Sequence, residues 1–209
     1  MKKLQRDIYT VFDRILLRNS KEKLLNQHAK VFWMSGLSGA GKSTLASGLE
    51  KELFNRGYLT QIIDGDNVRS GLNQNLGFSA EDREENLRRV AELSKLFLNC
   101  GVITINSFIS PTRASRHKAR EIIGKEDFIE VYVNAPLAVC EERDTKGLYK
   151  KARKGLIKLF TGIDSPFEVP VNPDIEINTN KMTVEESIQK LVDFVLPFVA
   201  YNNQERQSS

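Results

Sequence analysis

Cysteine and histidine are scarce in this chain of 209 residues, which contains two of each. Cys100 and Cys140 lie far apart and form no CxxC pair. Together with His28 and His117 they do not have the spacing of a zinc site, and the pattern excludes a disulfide-based scaffold. We interpret both cysteines as reduced thiols, which is typical of a reducing compartment.

Long apolar runs are also missing. A membrane-spanning helix needs roughly 18 consecutive apolar residues, and the best candidate, residues 191–200, is interrupted by Asp193 and Pro197. The first residues, MKKLQRDIYTVFDR, include basic side chains but neither an apolar stretch nor a small-residue cleavage site, so they predict no signal peptide. We therefore expect a cytoplasmic protein that has no membrane partner.

The excess of positive charge is small, since 31 Lys and Arg face 27 Asp and Glu for a net charge of +4. That excess alone leaves nucleic acid, membranes and phosphorylated small molecules open as partners. Its distribution is more informative, because residues 143–158 contain seven basic residues and one acidic residue. The positive charge is therefore local, which argues against a nucleic-acid partner.

Strand-like and helix-like patterns alternate along the chain, whose length is that of one domain. Short apolar runs predict strands at 31–34, 59–63, 102–105, 128–133 and 175–177. Helical spacing predicts helices at 42–55, 81–99, 113–123, from 136, and 183–197, with Leu45, Leu49, Leu53 and Phe54 on one buried face. Capping boxes are expected from Ser79 with Asp82 and from Thr183 with Glu186. The alternation predicts an α/β fold of three layers, a parallel sheet with helices on both faces. We expect residues 1–28 to form an N-terminal amphipathic helix and extension, 29–200 the domain, and 201–209 a frayed tail.

A phosphate-binding loop is the strongest signal. Residues 36–43 read GLSGAGKS, a full GxxxxGK[ST] match between a predicted strand and a predicted helix. In such a loop, backbone N–H groups wrap the phosphates at a helix N-terminus, Lys42 reaches the β- and γ-phosphates, and the Ser43 hydroxyl ligates Mg²⁺. The motif predicts binding of ATP or GTP. The predicted nucleotide-binding residues are Gly36, Leu37, Ser38, Gly39, Ala40, Gly41, Lys42, Ser43 and Thr44.

The acidic partner of this loop does not follow the third predicted strand, which ends in Asn106 and Ser107. No NKxD-type guanine reader is present either. Two carboxylates, Asp64 and Asp66, instead follow the second strand, at the sheet edge where ligands bind in such folds. One of them can hold Mg²⁺ through water or accept the proton of an attacking hydroxyl. The alternative for the DGD string is an ordinary Asx-turn.

An acceptor site is indicated further along the chain. Arg83 and Asn86 share one face of a predicted helix, and Phe78, just before it, can stack on a base. Alone, each residue would be read as a solvated or packing side chain. Together with NSFISP (106–111), KGLYKKAR (146–153) and FTGIDSPFE (160–168), however, the segment DGDNVRSGLNQNLGFSAEDREENLRRVAE (64–92) closely resembles the adenylylsulfate kinase family.

The resemblance implies a P-loop NTPase-type kinase domain over 29–200 and a specific reaction. ATP, with Mg²⁺, would phosphorylate the 3′-hydroxyl of adenosine 5′-phosphosulfate (APS) to give 3′-phosphoadenosine 5′-phosphosulfate and ADP, as in sulfate assimilation. A homodimer is expected from the resemblance only. The alternatives are another small-molecule P-loop kinase with a nucleotide or sugar acceptor, or a nucleotide-dependent regulatory module.

The resemblance also assigns roles by position. Asp66 would position or deprotonate the acceptor hydroxyl and, with Ser43, hold the metal. Lys42, Asp66 and Ser110 form the expected catalytic set. The expected acceptor-binding residues are Asp66, Arg69, Phe78, Arg83, Asn86, Ile109, Ser110, Lys146 and Phe160.

Within that set, three polar side chains are expected to hold the phosphosulfate end (Arg69, Arg83 and Asn86), and Phe78 and Phe160 to enclose the adenine. Ser110 occupies the family's phosphoserine position, but in-line transfer needs only positioning and charge neutralisation, so we interpret it as a binding residue.

Residues 144–163 interrupt the regular pattern and are interpreted as a basic lid. Its closure would exclude water and bring Lys150, Lys151 or Arg153 against the phosphates. Among these we assign Arg153 to ATP binding.

Overall fold

A computed structural model describes residues 14–201, and its strands form one parallel sheet. The strands are β1 (Val31–Ser35), β2 (Thr60–Asp64), β3 (Ile103–Ser107), β4 (Phe128–Asn134) and β5 (Ile175–Asn178). Their order is β2-β3-β1-β4-β5. Every predicted strand is present, and the predicted α/β fold is confirmed.

Helices cover both faces of this sheet. They are α1 (Arg18–Leu25), α2 (Lys42–Asn55), α3 (Gly65–Ser70), α4 (Ala80–Asn99), α5 (Arg113–Ile123), α6 (Leu137–Arg143), α7 (Leu148–Arg153) and α8 (Val184–Val199). Helices α2 and α8 pack together on one face, and α4 and α5 pack together on the other. The result is the expected three-layer arrangement.

Strand β1 shows how one sequence serves both layers. Phe32 and Met34 belong to the apolar cluster beneath α2 and α8, whereas Val31 and Trp33 belong to the cluster beneath α4 and α5. All four are fully buried, and each such side chain contributes about 1.5–3 kcal/mol through burial. A strand buried on both faces reads as a continuous apolar run, which is why it was visible in the sequence.

Side-chain caps define where the longer helices begin. Thr183 and Glu186 form a complete capping box at the start of α8. At the start of α4, Ser79 Oγ accepts from the Asp82 amide at 3.1 Å, but the Asp82 carboxylate accepts from Gly77 N at 3.0 Å. The box expected there is therefore half formed, and its second half holds the preceding turn.

The structure differs from the sequence interpretation in three elements. The side chain of Phe54 is 73% exposed, so placing it on the buried face of α2 was wrong. The polar run after the expected N-terminal helix is itself helical, as α1, and Arg18 binds Asp127 at 2.6 Å. The DGD string continues into the short helix α3.

Two expectations concern residues outside the described range. Most of the expected N-terminal helix (4–16) and residues 202–209 of the tail lie there, so the boundaries at 28 and 201 stay predictions. Within residues 14–201, no helix is both long and apolar enough to cross a membrane.

Candidate active site

The phosphate-binding loop lies between β1 and α2 and is tightly packed. Gly36 has φ +151° and donates its amide to Ile109 O at 3.3 Å. A Cβ on Gly36 would collide with the carbonyl oxygen of Val133 in β4, and one on Gly39 would lie 2.9 Å from Cys140 O. The neighbouring backbone therefore holds the loop in one shape, with its amides ready for phosphate oxygens.

Lys42, the first residue of α2, lies folded over this loop. Its Nζ donates to Gly36 O at 3.0 Å and to Leu37 O at 2.8 Å. Burial lowers the pKa of Lys42 to about 8, because desolvation disfavours the charged form. The Lys42 side-chain nitrogen thus lies at the loop, where polyphosphate oxygens can replace the two carbonyl oxygens as its hydrogen-bond acceptors.

Ser43 contacts the first carboxylate of the DGD string. Ser43 Oγ donates to Asp64 Oδ2 at 2.9 Å and lies 3.3 Å from Ser107 Oγ. The other Asp64 oxygen accepts from the Asp66 amide at 3.0 Å, which caps α3. The resemblance assigned Asp66 to the metal together with Ser43, whereas the observed contact pairs Ser43 with Asp64.

Asp66 lies further along the cleft, where its carboxylate forms an ion pair with Lys146 from the lid. The pair raises the pKa of Lys146 through the hydrogen bond to Asp66. Both side chains are largely exposed, so the attraction is weak and easily exchanged. The expected base and the expected lid lysine therefore meet across the cleft.

The phosphosulfate and adenine candidates cluster around Phe78. The Arg69 guanidinium lies 4.5 Å from the Phe78 ring centroid and that of Arg83 lies 5.9 Å away. Arg83 also donates to Thr161 Oγ1 at 3.0 Å and to Leu159 O at 2.6 Å. Arg83 thus ties the start of α4 to the lid.

Phe160 anchors the lid from within. Its ring packs edge-on against Tyr149 at 4.9 Å, and the Tyr149 hydroxyl donates to Ser38 O in the phosphate-binding loop at 2.9 Å. Burial raises the pKa of Tyr149, so this hydroxyl stays a donor. The lid consequently connects the nucleotide end and the acceptor end of the cleft.

Ser110 is held by contacts that point toward the core. Its side chain is 1% exposed, and its Oγ accepts from Trp33 Nε1 at 2.9 Å. Its backbone has φ +46°, and its carbonyl accepts from Arg116 Nη1 at 2.7 Å. These contacts account for a polar residue at this position without a covalent role.

Two arginines of the basic segment differ from expectation: Arg143 lines the cleft, and Arg153, which was expected at the nucleotide, does not. Arg153 binds Glu141 at 2.5 Å and is not among the residues that line the cleft. Arg143 does line it, and donates to Thr179 O at 2.8 Å and to Gly39 O at 3.3 Å. Sequence reasoning did not assign Arg143 to the cleft, although it counted Arg143 among the seven basic residues of 143–158.

One continuous cleft of about 950 Å³ collects most of the expected residues. Gly36, Leu37 and Ala40 belong to the loop but are not among the residues that line the cleft. The predicted residues that line the cleft are Ser38, Gly39, Gly41, Lys42, Ser43, Thr44, Asp66, Arg69, Phe78, Arg83, Asn86, Ile109, Ser110, Lys146 and Phe160. A phosphate-binding loop that shares a cleft with a carboxylate, several arginines and aromatic rings defines a P-loop small-molecule kinase.

Comparisons with known proteins agree with that class. The adenylylsulphate kinase family model matches residues 28–178. The adenylyl-sulfate kinase of Bacteroides thetaiotaomicron is 58% identical over 190 residues, which are 91% of this chain and 94% of that protein. The chain belongs to the adenylylsulfate kinase family, as expected, and is therefore an enzyme of the kinase class.

Solved structures extend the comparison to three dimensions. The Mycobacterium tuberculosis APS kinase in complex with AMPPNP and APS is 44% identical, with a TM-score of 0.78 over 80% of this chain and 98% of that one. A hexameric APS kinase from Thiobacillus denitrificans is 28% identical, with a TM-score of 0.60 over 81% of this chain and 29% of that one. The P-loop kinase fold is therefore shared.

Proposed function

We propose that this chain transfers the γ-phosphoryl group of ATP to the 3′-hydroxyl of adenosine 5′-phosphosulfate, releasing ADP. The observation that carries the proposal is the single cleft that holds Lys42 and Ser43 at one end and Asp66 between them and the Arg69–Phe78–Arg83 cluster. A kinase needs a donor and an acceptor in line in one water-excluding site, and this cleft offers room and ligands for both.

At the donor end, the loop amides and the α2 N-terminus receive the phosphates. Lys42 exchanges its two carbonyl partners for β- and γ-phosphate oxygens, and the phosphate charge raises its pKa again. Arg143 and Thr179 line the cleft beside Gly39 and are placed to contact the rest of the nucleotide.

The oxygens of Ser43 and Asp64 fit a magnesium ion, which prefers hard oxygen ligands and completes its shell with water and substrate phosphates. When bound, Mg²⁺ neutralises charge on the β- and γ-phosphates. Asp66 was the carboxylate expected at the metal. Its lack of contact with Ser43 favours Asp64 for that role, and leaves Asp66 for the acceptor.

At the acceptor end, Asp66 accepts the proton of the 3′-hydroxyl as that oxygen bonds to the γ-phosphorus. The bond from the γ-phosphorus to the β–γ bridging oxygen breaks, and ADP leaves. Asp66 exchanges its Lys146 contact for the hydroxyl, so the Lys146 ammonium becomes available to the transferred phosphoryl group. No covalent enzyme intermediate is required, which agrees with the buried contact of Ser110 to Trp33.

The remaining residues orient the acceptor. Arg69, Arg83 and Asn86 supply N–H donors for the phosphosulfate, and Phe78 and Phe160 provide aromatic surface for the adenine. The lid ties to both ends of the cleft through Tyr149 and Arg83, so its closure excludes water from both substrates at once.

Two further points belong to the proposal. The enzyme acts in the cytoplasm, where ATP is supplied, and it forms a homodimer, as its resemblance to the family implies. Light scattering of the purified chain tests the assembly: a dimer mass is expected, and a monomer or hexamer would overturn this point alone.

The activity is tested by coupled ADP release with APS, AMP, gluconate and shikimate as acceptors. We expect ADP release with APS, together with formation of the 3′-phosphorylated product. Release with another acceptor and not with APS would contradict the proposal and support the alternative of a different small-molecule kinase. Nucleotide binding without any transfer would support a regulatory module.

A further inference from the structure

A buried asparagine lies behind the acceptor site and is not part of the cleft lining. Asn73 follows α3 in the turn toward α4, and its side chain is fully buried. Its backbone amide donates to Val68 O at 2.7 Å, which fixes it against α3. The side-chain Nδ2 donates to Asn86 Oδ1 at 3.0 Å. Asn73 therefore connects the helix that carries Asp66 with the helix that carries Asn86.

The hydrogen bond decides which end of the Asn86 amide remains available. A carboxamide has an oxygen that accepts and an NH₂ group that donates. The Asn86 oxygen is bound by Asn73, and Asn86 itself lines the cleft. In the part of the chain that the structure describes, residues 14–201, the Asn86 side chain is hydrogen-bonded through its oxygen and not through its NH₂ group. The end left for a ligand is consequently the donor.

Donor polarity matches the chemistry of the proposed acceptor. A phosphosulfate presents anionic oxygens, which only accept hydrogen bonds, and the neighbouring Arg69 and Arg83 present only N–H groups. A carbonyl oxygen at the Asn86 position would face those anionic oxygens and repel them.

We propose that Asn73 is a positioning residue that sets the polarity of Asn86, so that the cleft favours an anionic acceptor. The inference rests on the proposed function, since it concerns the same acceptor site. Asn73 keeps its own Oδ1 without a hydrogen-bond partner in the described part of the chain. The position thus retains a buried polar group whose desolvation is unfavourable, which packing alone would not require.

The test compares Asn73→Asp with Asn73→Leu and with Asn75→Asp. The ionised carboxylate of Asn73→Asp can only accept, so it binds the Asn86 NH₂ and turns the carbonyl toward the cleft. We expect the KM for APS to rise about 10–100-fold, the range for losing a hydrogen bond to a charged group. The KM for ATP should stay within about twofold, because Lys42 and its loop are untouched.

Asn73→Leu removes the bond without reversing it, so its effect on APS should be smaller. Asn75→Asp is the matched control, since it places the same charge in the same turn at an exposed residue that contacts Arg89 instead of Asn86. It should behave as wild type. Thermal melting and ATP binding check folding, and Asn73→Leu carries the test if Asn73→Asp does not fold.

A pH profile separates positioning from simple damage. When the introduced carboxyl of Asn73→Asp is protonated, its O–H can donate to Asn86 Oδ1 as the native amide does. Its KM for APS should therefore fall toward wild type as the pH is lowered, whereas that of Asn73→Leu should not.

Equal losses in Asn73→Asp and Asn73→Leu that are independent of pH, or that extend to ATP, would show a structural role and overturn the inference. Normal APS kinetics in both variants would overturn it as well. A wild-type enzyme that neither binds APS in calorimetry nor phosphorylates it would instead reject the proposed function, and this inference with it.

Discussion

The two ends of the cleft are built in different ways. The donor end is a single stretch, residues 36–44, whose backbone is packed against β4 and α6. The acceptor end is assembled from α3, α4, the segment after β3 and the lid, and it is joined by side chains such as Lys146 with Asp66 and Arg83 with Thr161. The first is a local backbone structure, and the second depends on contacts between residues about 80 positions apart.

This difference determines how substitutions at each end of the cleft affect folding and substrate binding. Substitutions of the exposed side chains at the acceptor end, Asp66 and Lys146, should leave the fold and nucleotide binding intact. At the donor end, Gly36 and Gly39 cannot take a side chain without disturbing packed backbone. Variants that affect one substrate and not the other therefore measure how independent the two ends are.

The largest effect is expected for Asp66→Ala. Loss of the proton acceptor should lower kcat at least about 100-fold, within the range of general-base losses, while the KM for ATP changes little. Steady-state ADP release at saturating APS measures both constants. Glu81→Gln, which neutralises an exposed carboxylate at the start of α4, is the control and should retain wild-type turnover. Near-normal turnover of Asp66→Ala would remove Asp66 from the mechanism.

Ser110→Ala should separate stability from catalysis. The variant leaves Trp33 Nε1 buried without its acceptor, which costs about 1–3 kcal/mol of unfolding free energy. We expect turnover within about tenfold of wild type, because transfer does not pass through the serine. Urea unfolding and ADP release are measured on the same preparation. A folded, ATP-binding variant without turnover would instead support a phosphoserine intermediate.

The smallest effects concern the two arginines. Arg143→Ala removes hydrogen bonds to Thr179 and Gly39 at the cleft and should raise the KM for ATP about 3–10-fold. Arg153→Ala removes an ion pair with Glu141 outside the cleft and should change it less than about twofold. Initial rates at varied ATP concentration give the KM for ATP of both variants. A larger increase in Arg153→Ala than in Arg143→Ala would assign Arg153 to the nucleotide site.

The same contrast explains what the sequence could predict. Residues 36–43 encode a local structure, so motif, strand and helix were sufficient to predict a loop between β1 and α2 that brings Lys42 and Ser43 to the cleft. The central strands β1 and β3 were visible because each is a short apolar run buried on both faces. The edge strands β2 and β5 are partly exposed, and their isoleucines were the signal that placed them. The capping box of Thr183 and Glu186 is likewise a contact between near neighbours.

What could not be predicted depends on long-range geometry. Choosing between Asp64 and Asp66 as the partner of Ser43 requires knowing how β2 lies beside α2. Choosing between Arg143 and Arg153 requires the direction of α6 and α7, because both residues lie in one basic segment. Phe54 was misplaced because helical spacing identifies a face but not the edge of the layer that covers it.

The packing of Gly36 and Gly39 bears on what a nucleotide motif measures. Their neighbours are the backbones of β4 and α6, and neither position would admit a Cβ even if no phosphate ever bound. A descendant of this chain that no longer bound ATP but had the same sheet would still need glycine at both positions. The packing of the loop does not require the side chains of Lys42 and Ser43. In a degenerate relative, the loss of those two side chains would therefore be a better sign of abandoned catalysis than survival of the glycines would be of its persistence.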